Sequence, residues 1–399
     1  MSKKILLFLL LSFGVFFHLV AQAELDERAM INFRKGLGFN APDSTFGVNL
    51  RLRMQNRVAI NLNDDFSLRD IEARVSRLRL RFDGYILSQK ITYYIQLSFS
   101  RGDQDWDNTH IPNVVRDAMV YYRFNPHFYM GFGQGKLPGN RQRIISSGQQ
   151  QFFDRSNVNA SLTLDRDFGF FGYYSNNFGK LHYNLKGAVS TGDGRNQLKT
   201  DKGLMYTGRV EILPLGKFKN DGDFSEGDLE FEEDPRISIA AGYALNQNAM
   251  RTRGTTGTEL YESRDFTSAF ADMILKYRGW ALYSEYISRS AEASGITVNP
   301  LDSSMIAVAT LGQGVNTQLS YCFRNYWEIA ARYAVVEPTA TLKSINPTDS
   351  YYIIGVNRYV KKHLTKFQGF IGLRNQNSNI LPPKTLNNFL FVFQVELGI

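Results

Sequence analysis

Cysteine is nearly absent from this chain, since Cys322 is the only one among 399 residues. A single thiol cannot form an intrachain disulfide. The five histidines are scattered without zinc-binding spacing, and we find neither a G-x-S-x-G motif nor a glycine loop that could cradle phosphates. The sequence therefore predicts a protein that is not an enzyme and that carries no cofactor or metal.

Long hydrophobic runs are absent too, except at the amino terminus. There two lysines precede the apolar run ILLFLLLSFGVFFHLV (5–20), and the small-residue tripeptide AQA (21–23) follows it. This order predicts a secretory signal peptide, residues 1–23, that is cleaved before Glu24. Beyond it no run of 18 or more apolar residues occurs, so we expect no transmembrane helix.

Aromatic residues are abundant at 14% of the chain, with 30 Phe and 21 Tyr. In FGVNLRLRMQNRVAINL (46–62) the even-numbered residues are mostly apolar and the odd-numbered residues are mostly polar. In NFLFVFQVELGI (388–399) Phe389, Phe391 and Phe393 share one side. Because side chains alternate across a strand, such segments predict strands with one apolar face. Two classes fit this exported chain, a large soluble β protein and an outer-membrane β-barrel.

The lengths of the connections distinguish these two classes. Sixteen predicted strands are joined alternately by short turns, such as LSQ, NFG and KK, and by longer loops, of which the third, 136–166, is the longest. Short turns at one end and long loops at the other are typical of an up-and-down membrane barrel, whereas Greek-key sandwiches lack this regularity. We therefore predict an all-β fold, a 16-stranded antiparallel transmembrane β-barrel over 46–399, preceded by an N-terminal periplasmic segment at 24–45. The predicted strands are 46–62, 71–86, 90–101, 115–125, 127–135, 167–176, 180–191, 204–213, 236–248, 265–277, 279–289, 312–324, 326–336, 350–360, 363–375 and 388–399.

Arginine recurs at alternate positions on the polar faces of the first two predicted strands. RVSRLRLRFDG (74–84) places Leu78, Leu80 and Phe82 between its arginines. In a barrel these apolar side chains would face lipid, and the guanidinium groups would face a water-filled lumen where they remain charged. Clustered arginines attract anions and match the oxygens of phosphate or carboxylate. The predicted pore-lining, anion-binding residues of these strands are Arg51, Arg53, Arg57, Arg77, Arg79 and Arg81.

The third loop adds further cations and the hydroxyls of Ser146 and Ser147. In a barrel of this size such a loop can fold inward and narrow the channel, so we expect an inward-folded third loop. The alternative is an exterior loop at the rim of a trimer. Its predicted anion-binding residues are Lys136, Arg141, Arg143 and Arg155.

One connection that should be a short periplasmic turn is long and acidic. Residues 221–234 contain eight carboxylates and no base. The segment matches part of a calcium-binding loop, but Glu226 stands where the sharp turn needs glycine. We therefore expect a solvated acidic loop rather than a calcium site, and whether it enters the pore is left open.

Three stretches resemble the phosphate-selective porin O and P family: SRLRLRFDGYILSQKITYYIQLSFSRGD, VRDAMVYYRFNPHFYMGFGQGKLPGNR and QFFDRSNVNASLTLDRDFGFFGYY. The likeness extends over most of the chain and is densest at 71–176. It implies a sixteen-stranded trimeric barrel that passes anions through an arginine-lined constriction, where Arg77, Arg79 and Arg81 lie with Lys136. The acidic segment departs from the family pattern, as does Ile399, which replaces the usual final aromatic residue.

The sequence thus predicts an outer-membrane porin for passive diffusion of small anionic solutes, phosphate among them. We expect a homotrimer in outer-membrane lipid and no nucleic-acid partner. Two alternatives stay open. One is a general, weakly selective porin whose arginines are balanced by acids such as Asp83 and Asp117. The other is a plugged structural or adhesive barrel.

Overall fold

Sixteen antiparallel strands close on themselves in the computed structural model, which describes residues 36–100, 113–197, 203–378 and 384–399. Each barrel strand pairs with the next, and the last closes the ring on the first through the register from Phe389↔Leu62 to Gly398↔Arg53. The predicted 16-stranded barrel is therefore confirmed. The barrel strands are β2 (Phe46–Leu62), β3 (Leu68–Ile86), β4 (Ser88–Ser98), β5 (Val115–Arg123), β6 (Phe128–Lys136), β7 (Arg166–Phe178), β8 (Leu181–Ser190), β9 (Met205–Leu213), β10 (Arg236–Arg251), β11 (Glu259–Tyr277), β12 (Trp280–Ala291), β15 (Gly312–Cys322), β16 (Trp327–Pro338), β17 (Thr348–Tyr359), β18 (Thr365–Ser378) and β19 (Lys384–Gly398).

The alternation of side chains separates an apolar outer face from a polar inner face. On β19, Phe391 and Phe393 are 39% and 54% exposed, whereas Gln394 and Glu396, which follow them on the opposite face of the strand, are fully buried. A soluble protein would bury the phenylalanines instead. The inverted pattern is that of a barrel whose outer wall faces lipid and whose interior is polar.

Aromatic side chains collect at the rim that carries the short turns. Tyr122 packs edge-on against Phe124 with ring centroids 4.8 Å apart, and Trp280 lies 4.8 Å from Tyr321. Such rings mark the membrane–water interface in transmembrane barrels. Short turns belong to the periplasmic side, so this rim is the periplasmic one and the long loops lie at the opposite end.

Three short strands were not predicted from the sequence. They are β1 (Leu37–Asn40), β13 (Ile296–Val298) and β14 (Ile306–Val308). The strand β1 lies within the segment predicted as 24–45. It pairs with β2 from Leu37↔Leu50 to Asn40↔Gly47, beyond the point where β19 stops pairing with β2. The other two form a hairpin in the β12–β15 loop. The predicted signal peptide, 1–23, lies outside the described residues.

No helix in the described part of the chain combines the length and hydrophobicity needed to cross a membrane.

Candidate functional site

The loop between β6 and β7 makes contact with inward-facing side chains from distant parts of the wall. It contains two short helices, Arg141–Ile144 and Asn157–Leu162, and a 3-10 turn, Ser147–Gln149. Three contacts illustrate its reach: Arg141 Nε lies 2.8 Å from Asp272 Oδ1 on β11, Gln142 Nε2 donates to Gln318 Oε1 on β15 at 2.8 Å, and Asn157 Nδ2 donates to the Asp349 carbonyl on β17 at 2.8 Å. A segment that touches β11, β15 and β17 from their polar faces occupies the lumen.

The two arginine rows lie side by side on the inner face of β2 and β3. The register pairs Arg51 with Arg81, Arg53 with Arg79, and Gln55 with Arg77. Residues directly opposite on neighbouring strands have Cβ atoms about 5 Å apart. Like charges at that spacing repel, so this arrangement is maintained only with help from nearby carboxylates and water.

Among the described residues, carboxylates of Asp83, Asp154 and Glu396 contact these arginines. Asp83 binds both Arg51, with Oδ2 3.3 Å from Nη2, and Arg81, with Oδ1 2.7 Å from Nε. Of the two acids considered from the sequence, Asp83 therefore does meet the arginine row. Asp117 does not pair with it, because both of its oxygens accept from Arg166, at 2.9 and 3.0 Å.

Asp154 of the β6–β7 loop and Glu396 of β19 are the other two partners. Asp154 lies 2.6 Å from Arg77 Nη2 and 3.2 Å from Arg57 Nη1, and Glu396 Oε1 lies 3.6 Å from Arg53 Nε. Burial alone would raise the pKa of Asp154, but Arg77 and Arg57 outweigh it and hold that pKa well below its usual value. The loop is thus bound to the arginine wall through a carboxylate that stays ionised.

Ser147 joins the two rows at the loop's closest approach. Its Oγ accepts from Arg53 Nη2 and from Arg79 Nη1, each at 2.6 Å. The next residue is Gly148, where a Cβ would lie 2.2 Å from Arg53 Nη1 and 3.0 Å from Glu396 Oε1. A side chain at this position would therefore have to displace the Arg53 guanidinium group from Ser147.

The cations predicted within the third loop divide into two groups. Lys136 lines the cavity that remains in the lumen beside this loop, and it donates from Nζ to the Ile144 carbonyl at 2.9 Å. The other three lie outside the lining of that cavity and stabilise the loop itself. Their contacts are Arg141 with Asp272 and Ser238, Arg143 with Asp165, and Arg155 with the Gln142 and Ile145 carbonyls.

The acidic β9–β10 connection also enters the barrel, which corrects the expectation that it is solvated. Half of its eight carboxylates are buried. The Glu226 backbone N–H donates to the Gln149 carbonyl at 2.8 Å, and its Oε2 accepts from the Gln151 backbone N–H at 3.0 Å, so this segment binds the β6–β7 loop directly. In the described residues no cluster of three or more His, Cys, Asp or Glu could hold a metal ion. The buried acids are Asp223, Glu226, Asp228 and Glu232.

A cavity of about 1320 Å³ remains beside these two segments. The arginine rows contribute Arg51, Arg53, Arg79 and Arg81 to its lining, while Arg57 and Arg77 are buried and bind Asp154. Nine Lys and Arg side chains and five carboxylates line it among the described residues. The electrostatic potential in this water-filled space is therefore positive on balance.

Comparison of this chain with known sequences shows the family to which it belongs. The profile of the phosphate-selective porin O and P family matches residues 48–386, which is most of the chain. The chain belongs to this family. No curated protein matches the porin at a significant level.

Solved structures share the porin's fold at low sequence identity. An anion-selective porin from Comamonas acidovorans has a TM-score of 0.54 and 12% identity, over 89% of this chain and 100% of that one. The outer-membrane channel DcaP of Acinetobacter baumannii has a TM-score of 0.52 and 11% identity, over 91% and 99%. The trimer form of OmpT from Vibrio cholerae has a TM-score of 0.50 and 11% identity, over 88% and 99%. The chain is therefore a bacterial outer-membrane porin.

Three acidic residues of the site could not be assigned to it from the sequence, namely Asp154, Glu226 and Glu396. Glu396 belongs to the last strand and Asp154 to the middle of a long loop, so only the closed ring and the folded loop bring them to the arginines. Glu226 belongs to the segment that the sequence predicts to be a solvated turn. A signal was present in Phe218, Leu229 and Phe231, which are buried in the structure and give the acidic segment an apolar anchor.

Proposed function

We propose that this porin conducts small anions in preference to cations through the cavity beside the arginine rows. The observation that carries the proposal is the excess of cationic side chains lining that cavity, next to the register pairs Arg51–Arg81 and Arg53–Arg79. A positive field in a narrow aqueous space raises the local concentration of anions and their rate of entry. We propose passive diffusion as the mode of passage, which the match to a porin family over residues 48–386 supports.

Phosphate is among the solutes that this site suits. The planar guanidinium fork matches two phosphate oxygens at once, and several forks converge where Ser147 bridges Arg53 and Arg79. The carboxylates that already contact the arginines limit how tightly an anion binds. Conduction benefits from that limit, since an anion must leave as readily as it enters.

A homotrimer is proposed on the basis of the fold. The described wall has an exposed apolar outer surface, with Phe132, Phe170 and Ile354 at 47%, 58% and 57% exposure, which suits lipid or a second copy equally well. The trimer form of OmpT has the same architecture. Cross-linking of the porin in outer-membrane vesicles should yield a trimer band, and a monomer alone would contradict this assembly.

The anion preference is tested with the purified full-length porin in a planar lipid bilayer under a KCl gradient. We expect the sign of the reversal potential to report chloride preference, and added phosphate to reduce chloride current by competing for the arginines. A reversal potential of the cation-selective sign would overturn the proposal.

One observation favours a second function, that of a plugged barrel. The bonds between Glu226 and the β6–β7 loop fill part of the lumen from the periplasmic side. Complete absence of single-channel conductance from correctly folded porin would support this alternative and exclude the channel.

A further inference from the structure

Four tyrosines lie on the inner faces of four consecutive strands, β4 to β7, and line the main cavity. They are Tyr94, Tyr121, Tyr129 and Tyr173, which we call the tyrosine wall. Tyr129 and Tyr173 are register partners, and their rings stack with centroids 4.6 Å apart and planes 12° apart. The ring of Tyr121 lies 6.0 Å from one and 6.3 Å from the other. The passage of a small hydrated ion does not require such a surface.

The strand backbone holds these rings against the wall. Gly131 of β6 stands opposite Tyr121, and a Cβ at that glycine would lie 2.8 Å from two carbons of the Tyr121 ring. Any larger residue at 131 would push the ring away from the wall. The rings of Tyr121, Tyr129 and Tyr173 therefore form one packed aromatic surface along one side of the cavity.

The tyrosine wall meets the arginine rows at Tyr94. The guanidinium carbon of Arg81 lies 4.4 Å from the centroid of the Tyr94 ring, which is the geometry of a cation–π contact. Arg81 also faces Arg51 across the β2–β3 register, and both contact Asp83. A cationic edge and an aromatic surface thus adjoin within one cavity.

From this juxtaposition we propose that the tyrosine wall binds the ring of organic anions whose charged group engages Arg51 and Arg81. A hydrated inorganic anion gains nothing from an aromatic face, whereas an aromatic ring gains contact area and a favourable stacking geometry, and the C–H face of a sugar ring gains contact area. Aromatic carboxylates and sugar phosphates share the required chemistry, an anionic group carried on a ring. The inference rests on the channel function proposed above and names the class of solute that it would favour.

The test compares anions that differ only in the ring. In planar bilayers with the full-length porin, the permeability of benzoate is measured relative to acetate, and that of glucose 6-phosphate relative to inorganic phosphate. We expect at least one ring-bearing anion to permeate better than its mobility in free solution predicts. If benzoate permeates better than expected, the tyrosine wall favours an aromatic ring. If glucose 6-phosphate permeates better than expected, the tyrosine wall favours a sugar ring.

The structure supplies a matched pair of variants for this test. Tyr129→Ala with Tyr173→Ala removes the stacked pair on the inner face. Tyr333→Ala with Tyr352→Ala removes a register-paired couple 5.0 Å apart on the outer face, where these rings are 40% and 49% exposed. The inner double variant should lose the ring preference by about two- to tenfold, the usual range for an aromatic pair, and the outer one should retain it.

Three results would overturn the inference: no enrichment of either ring-bearing anion, an unchanged enrichment in the inner variant, or an equal loss in both variants. The chloride-to-potassium preference in KCl tests the channel function separately. A porin that prefers chloride but shows no preference for ring-bearing anions would contradict the role of the tyrosine wall and leave the proposed anion conduction standing.

Discussion

Removing two arginine charges from the cavity should weaken anion preference by an amount that depends steeply on salt. The perturbation is Arg51→Gln with Arg81→Gln, which keeps a polar amide at each site but leaves Asp83 without its two cationic partners. At about 6 Å through water, each lost charge changes the energy of a monovalent ion by about 0.7 kcal/mol, unfavourably for an anion and favourably for a cation. Two charges would therefore change the anion-to-cation permeability ratio by roughly two orders of magnitude if salt did not screen them.

Screening converts this figure into a testable series. With Debye lengths of about 30, 8 and 3 Å at ionic strengths of about 0.01, 0.15 and 1 M, the expected loss in the chloride-to-potassium ratio is roughly 40-fold, tenfold and twofold. The assay is the reversal potential of wild-type and variant porin across that salt range. Arg69→Gln is the matched control. Arg69 lies on β3, as Arg81 does, but near the end of that strand, outside the lining of the cavity, and it pairs with Asp70. An unchanged ratio at low salt, or a loss that does not diminish with salt, would refute the electrostatic argument.

Three further predictions concern the β6–β7 loop and the predicted signal peptide. Asp154→Asn would leave Arg57 and Arg77 facing a neutral amide, and we expect a loss of about 1–3 kcal/mol in stability, seen as heat-induced unfolding on gels at a lower temperature than for the wild type. Gly148→Ala would place a methyl group against the Arg53 guanidinium and should alter single-channel conductance, whereas Gly187→Ala, whose Cβ would meet nothing closer than 3.6 Å, should not. The mature porin is expected to begin at Glu24, and mass spectrometry of the outer-membrane protein would contradict the predicted cleavage site if the chain retained residues 1–23.

The sequence predicts the wall of this porin more completely than its contents. All sixteen barrel strands coincide with predicted segments, and the largest difference is at the start of β11, where pairing begins at Glu259 rather than at 265. This success has a physical cause, because lipid outside and water inside impose a period of two along every strand. The first seven residues of β11, ELYESRD, include a run of four polar residues from Glu262 to Asp265, so alternation of apolar residues does not mark this end of the strand.

The interior follows no such period, which is why its contacts could not be predicted. Asp154 is 97 residues from Arg57 and Glu396 is separated from Gln55 by 341 residues, yet each pair forms a hydrogen bond. The sequence indicates which side chains face the lumen but not how far a loop extends across it. Asp117 shows that the sequence does not reveal which partner an inward-facing side chain has. It faces inward as expected, but it accepts a hydrogen bond from Arg166 of β7 rather than from the arginine rows.

The position of the β6–β7 loop explains how a barrel with many inward carboxylates can keep a positive cavity. The loop covers the wall opposite the arginine rows, where Asp272 accepts from Arg141 and Arg209, and Glu285 accepts from Asn140 and Tyr283. These two acids are buried and do not line the cavity. On β2 and β3 the loop contacts Arg53 and Arg79 through Ser147 but leaves Arg51 and Arg81 half-buried in the lining of the cavity. Charge selectivity in this porin would then depend on which acids the loop buries as much as on the arginines themselves, since an acid that is paired and removed from the cavity no longer opposes an anion passing through it.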